Sequence, residues 1–200
     1  MDVTSRATDR RRTATSLYAR AKRENMRRGN RRSEILSRAA RVRLLVLDVD
    51  GVLTDGRIYL GPSGEEMKVF HVRDGSAIVR ALNAGIKVAL VSGRKSAAVR
   101  RRARELGVRE VYQGVKDKTA VFQALLRRHG LSPREVACVG DDASDRELLR
   151  AAGFAATPAD GHPSLDAVTQ YRSETKGGEG AAMEVIDLIL KARRTSNKRQ

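Results

Sequence analysis

From residue 44 onward, short apolar runs alternate with longer stretches of mixed apolar and polar residues. "LLVLDV" (44–49) is a continuous apolar run ending in acids, the pattern of a strand buried on both faces. "RIYLGPSGEEMKVF" (57–70) sets two β-rich arms around Gly61, Pro62 and Gly64 and predicts a hairpin. "SAIVRALNAG" (76–85) has helical apolar spacing and stops at Gly85, after which "IKVALVSG" (86–93) reads as a strand. Helices are predicted at "SAAVRRRARELG" (96–107) and "KTAVFQALLRRHG" (118–130), with a short strand around "EVYQG" (110–114) between them. "EVACVGDD" (135–142) is a strand running into carboxylates, and "DRELLRAAG" (145–153) is a helix. Short strands near "FAAT" (154–157) and "AVTQYR" (167–172) precede a final helix in "GAAMEVIDLILKARR" (180–194). Upstream, "SEILSRAA" (33–40) reads as a lead-in helix. Strand–helix alternation of this kind argues for an α/β fold, a mostly parallel sheet covered on both faces.

Charge divides the chain where the periodicity does. The 200 residues carry a formal +16, but residues 1–43 hold +10 of it and the last ten residues +5, leaving 44–190 at +1. Residues 1–32 show no apolar periodicity and are expected to be a disordered basic extension, with 195–200 a short basic tail. Such flanks can hold nucleic acid or an acidic membrane surface electrostatically, and a weak nucleic-acid contact through them is one expectation. The bland alternative is a solvated extension with no dedicated partner, since Tyr18 is the sole aromatic residue among these arginines. A single cysteine, Cys138, excludes an internal disulfide and suits a reducing compartment. No apolar run approaches the ~20 residues of a membrane span, and no signal-peptide pattern opens the chain, so a cytoplasmic protein is expected.

The chemistry sits where strands end. Asp48 and Asp50 close the first strand, one residue apart, at the cost of mutual repulsion and lost hydration. Ser92, Gly93 and Arg94 follow the second strand of the sheet, Lys118 opens a helix, and "GDDASD" (140–145) closes a later strand. Ligands of open parallel sheets bind beyond the carboxyl ends of the strands, so these groups converge on one edge. Together they suit attack on a phosphate monoester. A carboxylate approaching a dianion costs roughly 8 kcal/mol at ~4 Å and an effective dielectric of ~20. A magnesium ion shared by both partners reverses that sign, and Mg²⁺ needs only two or three protein oxygens. Lys118, Ser92 and backbone N–H groups near Gly93 can hold the phosphoryl oxygens, one acid can attack, and the other can move protons. No His/Cys spacing suggests zinc, and no nucleotide-triphosphate loop is present.

In "DVDG", Ser92, Lys118 and "GDDASD" the sequence resembles the haloacid-dehalogenase-like phosphatases. Over about 42–190 it is similar to their small, nearly capless branch acting on 3-deoxy-2-ulosonic acid phosphates, through "DVDGVLTDGRIYLGPSGEEMKVFHVRDG", "SGRKSAAVRRRARELG", "VYQGVKDKTA", "VGDDASD", "GHPSLDAV" and "GGEGA". The resemblance implies a Rossmann-like sheet with a protruding hairpin and a minimal cap, occupying 33–194. It implies Mg²⁺ as cofactor, Asp48 as a nucleophile forming an aspartyl phosphate, and Asp50 as general acid/base lending its backbone carbonyl to the metal. By the same likeness Asp141 completes the metal site, Asp145 holds metal-bound water, and Ser92, Gly93 and Lys118 bind phosphate. Arg94 and Arg102 match substrate-facing positions, and Arg94 favours an eight-carbon sugar acid, 3-deoxy-D-manno-octulosonate 8-phosphate, over the nine-carbon one. A homotetramer is implied, with the hairpin between subunits and the C-terminal tail reaching a neighbour's site. Met183 stands where the family tail usually carries arginine, and Ser144 where asparagine is common. Two rival functions stay open at this point: a nucleic-acid-associated protein working through its basic ends, and a phosphatase-like module that regulates a sugar-activating enzyme.

Overall fold

The computed structural model describes residue 26 and residues 29–197. Residue 26 is helical, and residues 29–40 form helix α1, which takes in the lead-in helix expected over 33–40 and also 29–32 of the segment expected to be disordered; residues 1–25, 27, 28 and 198–200 lie outside the described residues. The globular unit begins at Leu36.

Six parallel strands build the main sheet. They are β1 (Leu44–Leu47), β4 (Lys87–Ser92), β5 (Glu110–Gln113), β6 (Val136–Val139), β7 (Phe154–Thr157) and β8 (Tyr171–Arg172), in the spatial order β5-β4-β1-β6-β7-β8. Between β1 and the next helix a two-stranded antiparallel ribbon, β2 (Tyr59–Leu60) and β3 (Glu66–Met67), is the sole insertion. The hairpin expected over 57–70 therefore forms with two ladder rungs, Tyr59 opposite Met67 and Leu60 opposite Glu66. Its turn is closed by the Gly61 N–H donating to the Glu65 carbonyl at 2.8 Å.

Alternation along the strands sorts two cores. Leu44, Val46, Ala89, Val91, Val136 and Cys138 face one side, where Phe122, Leu125 and Leu126 of α4 (Lys118–His129) and Leu148 and Leu149 of α5 (Arg146–Ala151) cover them. The opposite parity, including Leu45, Leu47, Val88 and Leu90, is equally buried. On that side α2 (Val72–Asn83) packs against β4 and against α6 (Ala181–Asn197), whose buried stripe runs through Ala181, Ala182, Val185, Ile186, Ile189 and Ala192. Right-handed crossovers require this division, because α2 and α3 (Ala97–Glu105) connect strands moving one way from β1 while α4 and α5 connect strands moving back. Strand β1 is thus the point where the order reverses, and the crevice at the carboxyl ends of β4, β1 and β6 is where such sheets place ligands.

Two helix starts differ from the sequence pattern for local reasons. Helix α2 begins at Val72 instead of 76, capped by His71, whose Nδ1 accepts from the Arg73 N–H at 3.3 Å. The helix read at 145–153 divides into a 3₁₀ turn, Ala143–Asp145, and α5, because Asp142 caps the turn and Asp145 turns its carboxylate back onto the strand end.

Candidate active site

Asp48 lies one residue beyond β1, its N–H tied to the Val139 carbonyl at 2.9 Å, and its side chain is almost fully buried. Asp145 is wholly buried, and its Oδ2 accepts from the N–H groups of Asp141 and Asp142 at 3.2 and 3.3 Å. The loop after β6 thereby folds back so that Asp141 meets Asp48 from the neighbouring strand. Carboxylate oxygens of Asp48, Asp141 and Asp145 all lie within 4.8 Å of one another. Lys118, at the first position of α4, bridges Asp48 Oδ1 at 2.8 Å and Asp145 Oδ1 at 2.6 Å.

One cation among three acids, Asp48 and Asp145 buried and Asp141 half-buried, leaves the cluster short of positive charge. Loss of hydration on burial, reinforced by Asp145, raises the Asp48 carboxyl to about 6 against the pull of Lys118. Burial together with Asp48 and Asp145 raises Asp141 to about 8. Asp141 Oδ1 is moreover buried with no hydrogen-bond donor. Hard carboxylate oxygens, an unsatisfied lone pair and excess negative charge are what a magnesium ion would relieve. These residues fit the ion. Gly51 makes room for the arrangement, since it holds φ 84° and a Cβ there would overlap Asp141 Oδ2.

Asp50 points to a second group. Its Oδ2 accepts from Ser92 Oγ at 3.2 Å, and Ser92 Oγ accepts from the Arg94 N–H at 3.1 Å. Its Oδ1 pairs with Lys68 Nζ from the hairpin; Lys68 also reaches Glu66 Oε1 at 2.9 Å, and Glu66 Oε2 holds Arg94 at 2.7 Å. The side chain of Lys68 is 1% exposed. Sequence reasoning missed Lys68 and Glu66; the one available signal was their i,i+2 spacing, which puts both on the same side of a strand. Arg94 accordingly joins the site through Glu66, whereas Arg102 does not reach the acid cluster. Its guanidinium lies over Gly75 and pairs with Glu105 at 3.3 Å. Gly93 follows Ser92 directly, and the Val115 N–H bonds the Ser92 carbonyl at 3.1 Å, fixing the loop end.

The C-terminal "GGEGA" closes over the first loop. Gly178 N–H donates to the Val52 carbonyl at 3.0 Å, and Gly177 approaches the Gly51 carbonyl so closely that any side chain there would collide with it. Glu184 fastens this segment, accepting from Tyr171 Oη at 2.5 Å, Thr175 Oγ1 at 2.8 Å and the Glu174 N–H at 3.0 Å. Met183, in the place of the expected arginine, donates its N–H to the buried Asp74 at 2.7 Å.

Comparison with known proteins agrees with this geometry. Residues 66–153 match the model of the haloacid dehalogenase-like hydrolases. The 3-deoxy-D-manno-octulosonate 8-phosphate phosphatase KdsC of Escherichia coli K12 is 44% identical over 160 residues, 80% of this chain and 85% of that protein. The Yersinia pestis 3-deoxy-D-manno-octulosonate 8-phosphate phosphatase crystal structure superposes with a TM-score of 0.79 at 41% identity, covering 82% of this chain and 89% of that one. The Moraxella catarrhalis phosphatase of the same name, solved with a magnesium ion, a phosphate ion and a KDO molecule, gives a TM-score of 0.79 at 38% identity over 82% of this chain and 95% of that one. The six-stranded parallel sheet, the acid cluster and identity across four-fifths of the chain converge on one conclusion: the chain belongs to the 3-deoxy-D-manno-octulosonate 8-phosphate phosphatase family of haloacid-dehalogenase-like hydrolases.

Proposed function

We propose that the protein hydrolyses a small acidic sugar phosphate, 3-deoxy-D-manno-octulosonate 8-phosphate, through an aspartyl-phosphate intermediate. The observation that carries this is the meeting of Asp48, Asp141 and Asp145 within 4.8 Å beside Lys118. Asp48 attacks phosphorus with a carboxylate oxygen, and the P–O bond to the sugar breaks as Asp50 delivers a proton to the departing oxygen. Asp50 then takes a proton from water, whose oxygen attacks the phosphoryl group and returns Asp48 to its free carboxylate. Ser92 and the N–H groups about Gly93 hold phosphoryl oxygens; Lys118, already against Asp48, lies beside the forming bond and offsets its charge. Asp48, Asp141 and the Asp50 carbonyl, with Asp145 behind them, would hold magnesium, which would supply the positive charge that lets carboxylate and phosphate dianion meet. Arg94, at the rim, faces the sugar acid.

The hairpin is the assembly surface in this reading, for Ile58, Leu60, Met67 and Val69 stand 54–69% exposed on it. A tetramer built there completes an entrance that the minimal cap leaves open. The domain spans 33–194 between the basic extension and tail, and a lone buried thiol, Cys138, suits the cytoplasm. Among the described residues no helix is long and apolar enough to cross a membrane.

Purified protein with Mg²⁺, assayed against eight- and nine-carbon ulosonic acid phosphates and other sugar phosphates, tests the substrate. Preference for the eight-carbon compound is expected; preference for the nine-carbon one would reassign the substrate. Asp48→Asn is expected to lower turnover of a generic aryl phosphate by about a thousandfold or more while leaving the melting curve in place. Retained turnover would refute the nucleophile.

A further inference from the structure

The catalytic edge gathers acids, and the opposite edge gathers arginines. All six strands run parallel, so the amino ends of β4 and β5 lie at the far side of the sheet from Asp48. There, a groove of about 550 Å³ is lined by Arg100, Arg104 and Arg109 over an apolar floor that includes Val108 and Val111. A second, of about 400 Å³, lies between the end of α2 and the last turns of α6 and is lined by Arg80, Arg193 and Arg194. A Cβ placed on Gly107 would come within 4.0 Å of Leu82 Cδ1, so the ends of α2 and α3 lie near each other with one groove next to each. Lys87, exposed at the first position of β4, belongs to the same edge.

Pairing separates most of these cations from the others; Arg80 is the exception, its guanidinium on Asp187 at 2.5 Å. Arg101 and Arg102 both reach Glu105, at 3.4 and 3.3 Å. Among the described residues no carboxylate pairs with Arg100, Arg104, Arg109 or Arg194; Arg104 touches the Arg100 carbonyl alone. Keeping several exposed guanidinium groups together without counter-charges raises the local potential and attracts polyanions. Arg43 directly precedes β1, and α6 ends at Asn197 beside the end of α2, so the chain enters β1 and leaves α6 at this edge.

We propose that this edge binds nucleic acid through its phosphate backbone, beyond and independently of the phosphatase reaction. Neither groove contains an aromatic side chain on which a base could stack, so contact is with phosphates and carries no base sequence preference. No large apolar side chain lining either groove is exposed, which leaves nothing to insert into a lipid surface.

The full-length protein should be titrated into a labelled RNA duplex of about 20 base pairs, from about 50 to about 200 mM salt. The triple variant Arg104→Ala, Arg109→Ala, Arg194→Ala should bind at least about tenfold more weakly and lower the slope of log K against log salt by about 2 to 3. Its aryl-phosphatase activity should equal that of the wild type, which certifies its fold; if it does not, the single variant Arg109→Ala should lower the slope by about 1. Saturating RNA should leave aryl-phosphate turnover of the wild type unchanged. Wild-type binding by the variants, no binding at low salt, inhibition of turnover by RNA, or tighter binding to vesicles containing acidic lipid than to RNA would each overturn the proposal.

Discussion

Burial works against the charges of Asp48 and Asp141, and that opposition has a measurable sign. Their folded-state carboxyls, raised to about 6 and about 8, hold protons more tightly than the same groups in the unfolded chain. Their contribution to stability is therefore full below the ordinary carboxylate range and is lost as pH rises through about 6 and then about 8. A chelator-treated sample should accordingly lose thermal stability across that window from this cluster, and Asp141→Asn should flatten the loss. Added Mg²⁺ binds the ionised form, so its upward shift of the melting midpoint should be larger at pH 8 than at pH 5; an equal shift at both would remove this cluster as the metal site. The acids were legible in sequence because a charge at the end of an apolar run has no packing explanation. Lys68 was not legible: in a hairpin arm a lysine reads as solvent-facing, and only the fold shows it turned inward onto Asp50. Arg102, which the resemblance makes substrate-facing, rests its guanidinium on Gly75, a placement that the sequence pattern does not show.

At the level of elements, β1, β4, β6 and β7 fall within a residue or two of the positions that apolar runs predict, since both faces of these strands are covered; β5 does so too although it is half-buried. The edge strand β8 is two residues long where six were expected, because the N–H groups of Val168 and Thr169 both turn back onto the Leu165 carbonyl at 3.0 Å. The hairpin is similarly short, and its outward residues suggest why: Leu60 is 69% and Val69 62% exposed in a single chain. Replacing both, as Leu60→Asp with Val69→Asp, should convert the proposed tetramer to monomers in light scattering. The same variant should lose about tenfold or more in kcat/KM for the sugar phosphate while keeping aryl-phosphate turnover, as Asp48 and Lys118 lie outside the hairpin. An unchanged mass would show that the surface serves another purpose.

Across the whole molecule, periodicity disclosed the layer order and the reversal at β1, whereas the way "GGEGA" folds over the first loop depends on contacts more than a hundred residues apart, such as Gly178 with Val52. Ala39 of α1 is fully buried, so the part of the extension needed for packing ends close to it. Deleting residues 1–28 should leave the melting midpoint within about 2 °C and kcat/KM unaltered; a clear drop in either would assign the extension to the catalytic unit. Cys138, sealed in the middle of β6 with its thiol pushed far up by burial, has a practical corollary. Alkylating reagents meet no other sulfhydryl in this chain, so one engineered thiol, for instance Val69→Cys, becomes a unique attachment point for a spin label. In the proposed tetramer the hairpin-to-hairpin spacing then becomes a ruler measurement, with the native cysteine left in place.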